Sequence, residues 1–170
     1  LNYMTEDDIL KEIEKNKDRY HYFKEPYKYS HIDLYNTSST YYGLTFLIKN
    51  NSINEYVSHK NEKYTILSIN GFIEFIENFE SCKQKSDEIV EVLSGMFPNA
   101  QKIEWSGDYP ADPSGNSVGV GVEFLFKSGG DIEVKCMDID ETYRNKNNWS
   151  EGLFISISSK ETSEWLVDYK

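Results

Sequence analysis

One α+β domain over residues 1–170, a largely antiparallel β-sheet with helices packed on one face, follows from three features of the sequence. Val118, Val120, Val122, Phe124 and Phe126 alternate strictly, Ser128-Gly-Gly130 makes a turn, and Ile132, Val134 and Cys136 resume the alternation, which is a hairpin. Phe72, Phe75, Ile76 and Phe79 recur at helical spacing, as do Ile89, Val92, Leu93 and Met96 behind a capping Ser86. No repeat or flexible linker divides the 170 residues, a length that suits one domain with its own core.

The elements follow in order. Thr5-Glu-Asp-Asp8 reads as an N-cap with acidic first-turn residues, opening a helix to about Asp18 whose stripe is Ile9, Leu10 and Ile13. Tyr20, Tyr22, Tyr27, Tyr29 and Tyr35 then fill a stretch poor in aliphatics and interrupted by Pro26, and residues 36–40 read as a loop. From Tyr41 the period becomes two, with Tyr42, Leu44, Phe46 and Ile48 on one face, and residues 63–69 form a second strand. The two helices come next, the second ending at Pro98, and the pair is expected to cover one sheet face. A short strand over 102–105, a loop over 106–117, the hairpin, a polar connection over 138–151 and a strand over 153–158 complete the sheet. Gly119 and Gly121 imply close packing on their side of the hairpin, or a bend. Ser159 caps a closing helix containing Trp165, Leu166 and Tyr169.

Charge narrows the partners. The chain carries 29 acidic and 18 basic side chains, a net charge of −11, which repels nucleic acid and anionic membranes and speeds encounters with basic proteins. An aromatic content of 15% argues against disorder, because disordered chains lack such residues. No run approaches the roughly 18 apolar residues of a membrane span. The first residues show neither a basic nor an apolar leader region, so a cytoplasmic location is expected, with Cys82 and Cys136 as reduced thiols. Sequons at Asn36, Asn50 and Asn148 then read as incidental. Basic residues other than Arg19 and Arg144 are lysines, a bias of AT-rich genomes that suggests a bacterial source.

The sequence carries no P-loop, GxGxxG, HExxH, GxSxG, EF-hand or zinc spacing, so no enzyme and no cofactor are expected. His31 and Asp33 lie on one side of a strand, an acid/base pair or half of a metal site, with no nucleophile signalled beside them; His21 and His59 stand apart. Asp138, Asp140 and Glu141 could hold a divalent cation, although the sequence supplies no phosphate-binding partner for it. The same connection mixes carboxylates with rings: Asp138, Asp140, Glu141, Tyr143, Trp149 and Glu151. The loop over 106–117 adds Asp108, Tyr109 and Asp112. Rings supply contact area and carboxylates pair with Lys or Arg, so these nine residues form the expected partner-binding surface. The early tyrosines are a rival patch, but stacking platforms for single strands need a positive groove that this chain lacks.

With its acidic first helix, its aromatic-acidic loops and its closing segment from Gly152-Leu-Phe-Ile-Ser-Ile to Glu164-Trp-Leu, the chain resembles the immunity proteins of bacterial contact-dependent growth-inhibition and polymorphic-toxin systems. The resemblance lies in general character over the whole chain rather than in a motif, and brings no residue roles with it. It implies a cytoplasmic α+β domain that neutralises a nuclease-like toxin by filling its basic cleft. Two alternatives stand beside it. One is an enzyme of unrecognised type that uses His31 and Asp33 or the Asp-rich cluster. The other is a structural or regulatory subunit, marked by an exposed apolar patch.

Overall fold

The structure is a computed structural model that describes residues 29–35, 41–50 and 64–167. The helix expected at Thr5–Asp18, Tyr20, Tyr22, Tyr27, His21, His59 and Tyr169 lie outside the described residues. Strands β1 (Tyr29–Tyr35), β2 (Gly43–Asn50), β3 (Tyr64–Glu74), β4 (Gln101–Asp108), β5 (Val118–Leu125), β6 (Gly130–Asp138) and β7 (Gly152–Ser159) form one seven-stranded sheet. Its order is β1-β2-β3-β7-β6-β5-β4, and every neighbouring pair is antiparallel. Helices α1 (Phe79–Met96), α2 (Glu141–Asn147) and α3 (Lys160–Val167) complete the expected α+β domain. Two meanders, β1-β2-β3 and β4-β5-β6-β7, therefore join edge to edge at β3 and β7.

Alternation decides which face meets α1. Val120, Val122 and Phe124 of β5, Ile132, Val134 and Cys136 of β6, and Leu153 and Ile155 of β7 pack with Cys82, Ile89, Val90 and Leu93 of α1. The hairpin expected at Ser128-Gly-Gly130 forms, with Gly129 and Gly130 both at positive φ. A second small cluster joins Ile32 and Ile48 with Phe46 and Tyr64. The expected alternation of β2 fails at its end, because the register with β3 shifts between Leu47 and Ile48 and buries both.

Four expectations are corrected. The segment Phe72–Phe79 is not a helix: β3 runs on to Glu74, with Phe72 paired to Gly43 on one side and Phe154 on the other. A strand hydrogen-bonded on both sides satisfies its backbone fully, and this outweighs a helical spacing of four apolar residues. The single helix α1 starts at Phe79, capped by Asn78, whose side chain accepts the Ser81 N–H at 3.3 Å. Ser86 is consequently a buried mid-helix residue, not a cap, and the buried stripe turns so that Val92 and Met96 face solvent. The connection between β6 and β7 holds a helix, α2, capped by Asp140. The end of the tyrosine-rich segment is β1, the strand on which the sequence placed His31 and Asp33.

The fourth correction concerns the cysteines. Cys82 and Cys136 form a disulfide that ties α1 to β6 in the middle of the main core. The two residues are remote in sequence, and only the packing of α1 on β6 brings their side chains together. No helix among the described residues is long and apolar enough to cross a membrane.

Candidate functional site

Among the described residues, the face of the sheet opposite the main core carries a cleft. Trp105 on β4 lies across Gly119 and Gly121 of β5, where a Cβ would come within 3.1 and 2.7 Å of the indole. This is the close packing expected of the two glycines, and it lays the indole flat on the sheet. Phe72 of β3 and Phe154 of β7 stack 4.6 Å apart, and Tyr42 meets Phe72 edge-on at 6.0 Å. Between these groups Met137, Lys135 and Asn70 complete the floor of a cleft of about 980 Å³. Asn70 is held in place, its amide donating to Ser68 and its carbonyl oxygen accepting from Ser156.

One end of the cleft is a lip made by the two loops that the sequence singled out. Asp108, Tyr109, Pro110 and Trp149 all line it. The rings of Tyr109 and Trp149 lie 5.5 Å apart, and Tyr143 meets Trp149 edge-on at 5.9 Å from behind. Trp149 remains 42% exposed, an amphipathic ring presented to solvent. Burial, followed by the nearby Tyr143, raises the Tyr109 hydroxyl above its usual range, so it stays protonated as a donor.

Hydrogen bonds at Ser117 hold the lip together. The Ser117 hydroxyl donates to Asp112 at 2.6 Å and accepts the Asp140 N–H at 2.9 Å, joining the 109–117 loop to the start of α2. Asp112 also accepts N–H groups from Ser114 and Ser117. Its carboxyl is held below the usual range, first by the Ser117 hydroxyl, against an opposing effect of burial.

Of the nine expected surface residues, the structure therefore brings Asp108, Tyr109 and Trp149 to the cleft, with Tyr143 as backing. Asp140 caps α2, accepting the Tyr143 N–H at 3.0 Å, and Glu141 is exposed beside it. Asp138 is half-buried at the end of β6, and its pKa is raised by burial and then by Glu151, with Arg144 opposing. Asp112 and Glu151 are buried at 5% and 3% exposure and bonded internally, so neither carboxylate is available to a partner.

Trp105, Phe72, Phe154, Met137 and Asn70 were not among the expected surface residues. The advance sign nearest to them was the glycine pair of β5, read as close packing on that side of the hairpin or a bend.

Asp33 accepts a hydrogen bond from Thr45 at 2.9 Å, which gives it a structural partner within the sheet. Among the described residues no group of three or more His, Cys, Asp and Glu could hold a metal ion, and the Asp138–Glu141 cluster is not assembled as one. The cleft offers ring faces, a positioned amide and a lysine that pairs with Glu133 at 2.6 Å. Such a lining can hold an aromatic, aliphatic or cationic side chain by stacking and burial. Comparison with protein-family models, with curated proteins and with solved structures finds no match to this chain.

Proposed function

We propose that the chain is an acidic protein-binding module that receives cationic side chains of a basic partner in the aromatic cleft, in the manner of an immunity protein neutralising a nuclease-like toxin. The observation that carries this reading is that Trp149 and Tyr109 line the same cleft as Trp105 and the Phe72–Phe154 pair, in a chain of net charge −11. Ring faces attract guanidinium and ammonium groups, and desolvation in a cleft strengthens that attraction. The surplus of carboxylates steers a basic protein toward the surface, while the rings supply the buried anchors. A toxin occupied in this way has its nucleic-acid cleft blocked, and the module itself carries out no reaction.

The disulfide bears on where this happens. The cytoplasmic setting expected from the sequence goes with reduced thiols, whereas a disulfide persists in an oxidising compartment. We accordingly propose that the partner is met in an oxidising environment.

The test is a fluorescence titration of the chain with oligo-arginine, oligo-lysine and oligo-glutamate peptides. Binding in the order Arg over Lys, none for Glu, weakening with salt and lost in Trp149→Ala and Trp105→Ala supports the reading. Binding indifferent to peptide charge, or unchanged in both variants, overturns it. Relief of nuclease inhibition by the same two variants extends the test to a cognate toxin.

A further inference from the structure

Among the described residues, strand β4 ends the sheet with one long side unpaired. Its only strand neighbour among them is β5, and every residue of β4 except Trp105 is exposed. The Tyr109 N–H donates to the Ser117 carbonyl at 2.8 Å, in the same register that pairs Gln101 with Leu125 and Asp108 with Val118. In an antiparallel ladder such groups alternate. The N–H and C=O of Ile103, Trp105 and Gly107 therefore point to β5, and those of Lys102, Glu104, Ser106 and Asp108 point outward. The strand has no proline and no register shift against β5, so apart from its charges it lacks the features that protect natural sheet edges.

We propose that β4 pairs antiparallel with β4 of a second copy of this chain, across a two-fold axis at Trp105. In such a pairing opposed residues share a sheet face, so the axis must pass through a residue. An axis at Glu104 sets Glu104 against its own copy, a repulsive pair. An axis at Ile103 leaves Ser106 and Asp108 without partners in the facing strand. An axis at Trp105 sets Lys102 against Asp108 on both sides of the dyad, Glu104 against Ser106 and Ile103 against Gly107. All four outward-facing residues then join a ladder, and opposite charges meet.

The pairing also bears on the cleft. Trp105 meets its copy at a position where side chains of facing strands lie closest, so the two clefts become neighbours across the axis. Lys102, now 2.9 Å from Glu104 of its own strand, keeps that contact while facing the second Asp108. Two chains of charge −11 repel at long range, and salt screens this within a Debye length of about 8 Å at physiological strength. Self-association should therefore strengthen as salt rises from low to physiological levels, the reverse of binding to a basic partner.

The experiment is sedimentation of the whole chain over a concentration series at both salt levels. The expected result is a monomer–dimer equilibrium, tightened by salt. Glu104→Pro removes one outward N–H from an unpaired edge and should abolish the dimer with the circular dichroism spectrum unchanged. Lys102→Asp should weaken association about tenfold through two like-charge contacts, and adding Asp108→Lys should restore it. A chain monomeric up to roughly 1 mM overturns the proposal. So does a dimer indifferent to Lys102→Asp, which also decides the matter if the proline variant fails to fold. A monomer that still binds cationic peptides overturns the dimer alone and leaves the cleft reading in place.

Discussion

Arg144 and Glu151 form an ion pair at 2.6 Å with both side chains largely removed from solvent. Glu151 also accepts the backbone N–H groups of Ile139 and Glu77, so one carboxylate joins α2 and the end of β6 to the turn between β3 and α1. The contact with Arg144 is held by charge and proximity, since the guanidinium N–H is not aligned as a hydrogen bond. Glu151 reads in the sequence as one more acidic loop residue; in the fold it holds Arg144, whose carbonyl accepts the Trp149 N–H at 3.0 Å.

Removing that carboxylate leaves a buried cation and two backbone donors without their acceptor. Glu151→Ala is expected to lower stability by about 3–5 kcal/mol. Exposed Glu141→Ala on the neighbouring helix should change it by less than about 0.5 kcal/mol. Denaturant unfolding of the two variants checks the contrast.

The disulfide makes a second prediction. Cross-linking α1 to β6 closes a long loop in the unfolded chain, and its removal is expected to cost about 2–5 kcal/mol. Thiol titration of the denatured, unreduced protein should find no free thiol. Two free thiols would restore the reduced state expected from the sequence and remove the argument for an oxidising compartment.

Two glycines should respond oppositely to the same substitution. Gly121→Ala places a methyl 2.7 Å from the Trp105 indole, which must leave the sheet, so a loss of about 1–3 kcal/mol and altered tryptophan fluorescence are expected. Gly95→Ala in α1 meets nothing within 4 Å and should stabilise by about 0.5–1 kcal/mol. Thermal melts with fluorescence detection separate the two.

Acid titration gives the fourth prediction. Burial, then Asp131 and Glu133, raise Glu123 above the ordinary carboxylate value of 4.5. A carboxyl whose folded pKa is raised is destabilising when ionised, and the penalty fades as pH falls through the folded value toward 4.5. Glu123→Gln should thus stabilise at neutral pH and lose that advantage in this window. Asp112 behaves in the opposite sense. Its lowered pKa gives stability that is complete above the ordinary value of 3.8 and is lost as pH falls through the folded one, so Asp112→Asn should be most harmful at neutral pH. Unfolding curves across acid pH for both variants test the two signs.

Much of the β5–β6 hairpin was legible in advance, because strict alternation around Ser128-Gly-Gly130 leaves a chain few other ways to bury Val120, Phe124 and Val134. The Ser159 cap of the last helix was legible for the same local reason, and its hydroxyl accepts the Thr162 N–H at 3.3 Å. The segment over 72–79 was misread because helical spacing of four apolar residues carries no information about strand partners; pairing of Phe72 with β2 and β7 decides it, and those partners are distant in sequence. Asp112 and Glu151 were read as surface charges because composition does not reveal which carboxylate finds Ser117 or Arg144.

Local pattern and net charge were enough to establish an acidic α+β domain, its turns, most of its strands and the two loops that form the lip. Strand order was not encoded in any local pattern, and the cleft depends on it. Trp105, Phe72, Phe154 and Met137 share one surface only because the two meanders join at β3 and β7, and Cys82 reaches Cys136 only because α1 crosses β6. Contacts of that kind come from burying a whole sheet face at once. They depend on which distant segments meet, a property of the folded chain that short-range periodicity does not contain.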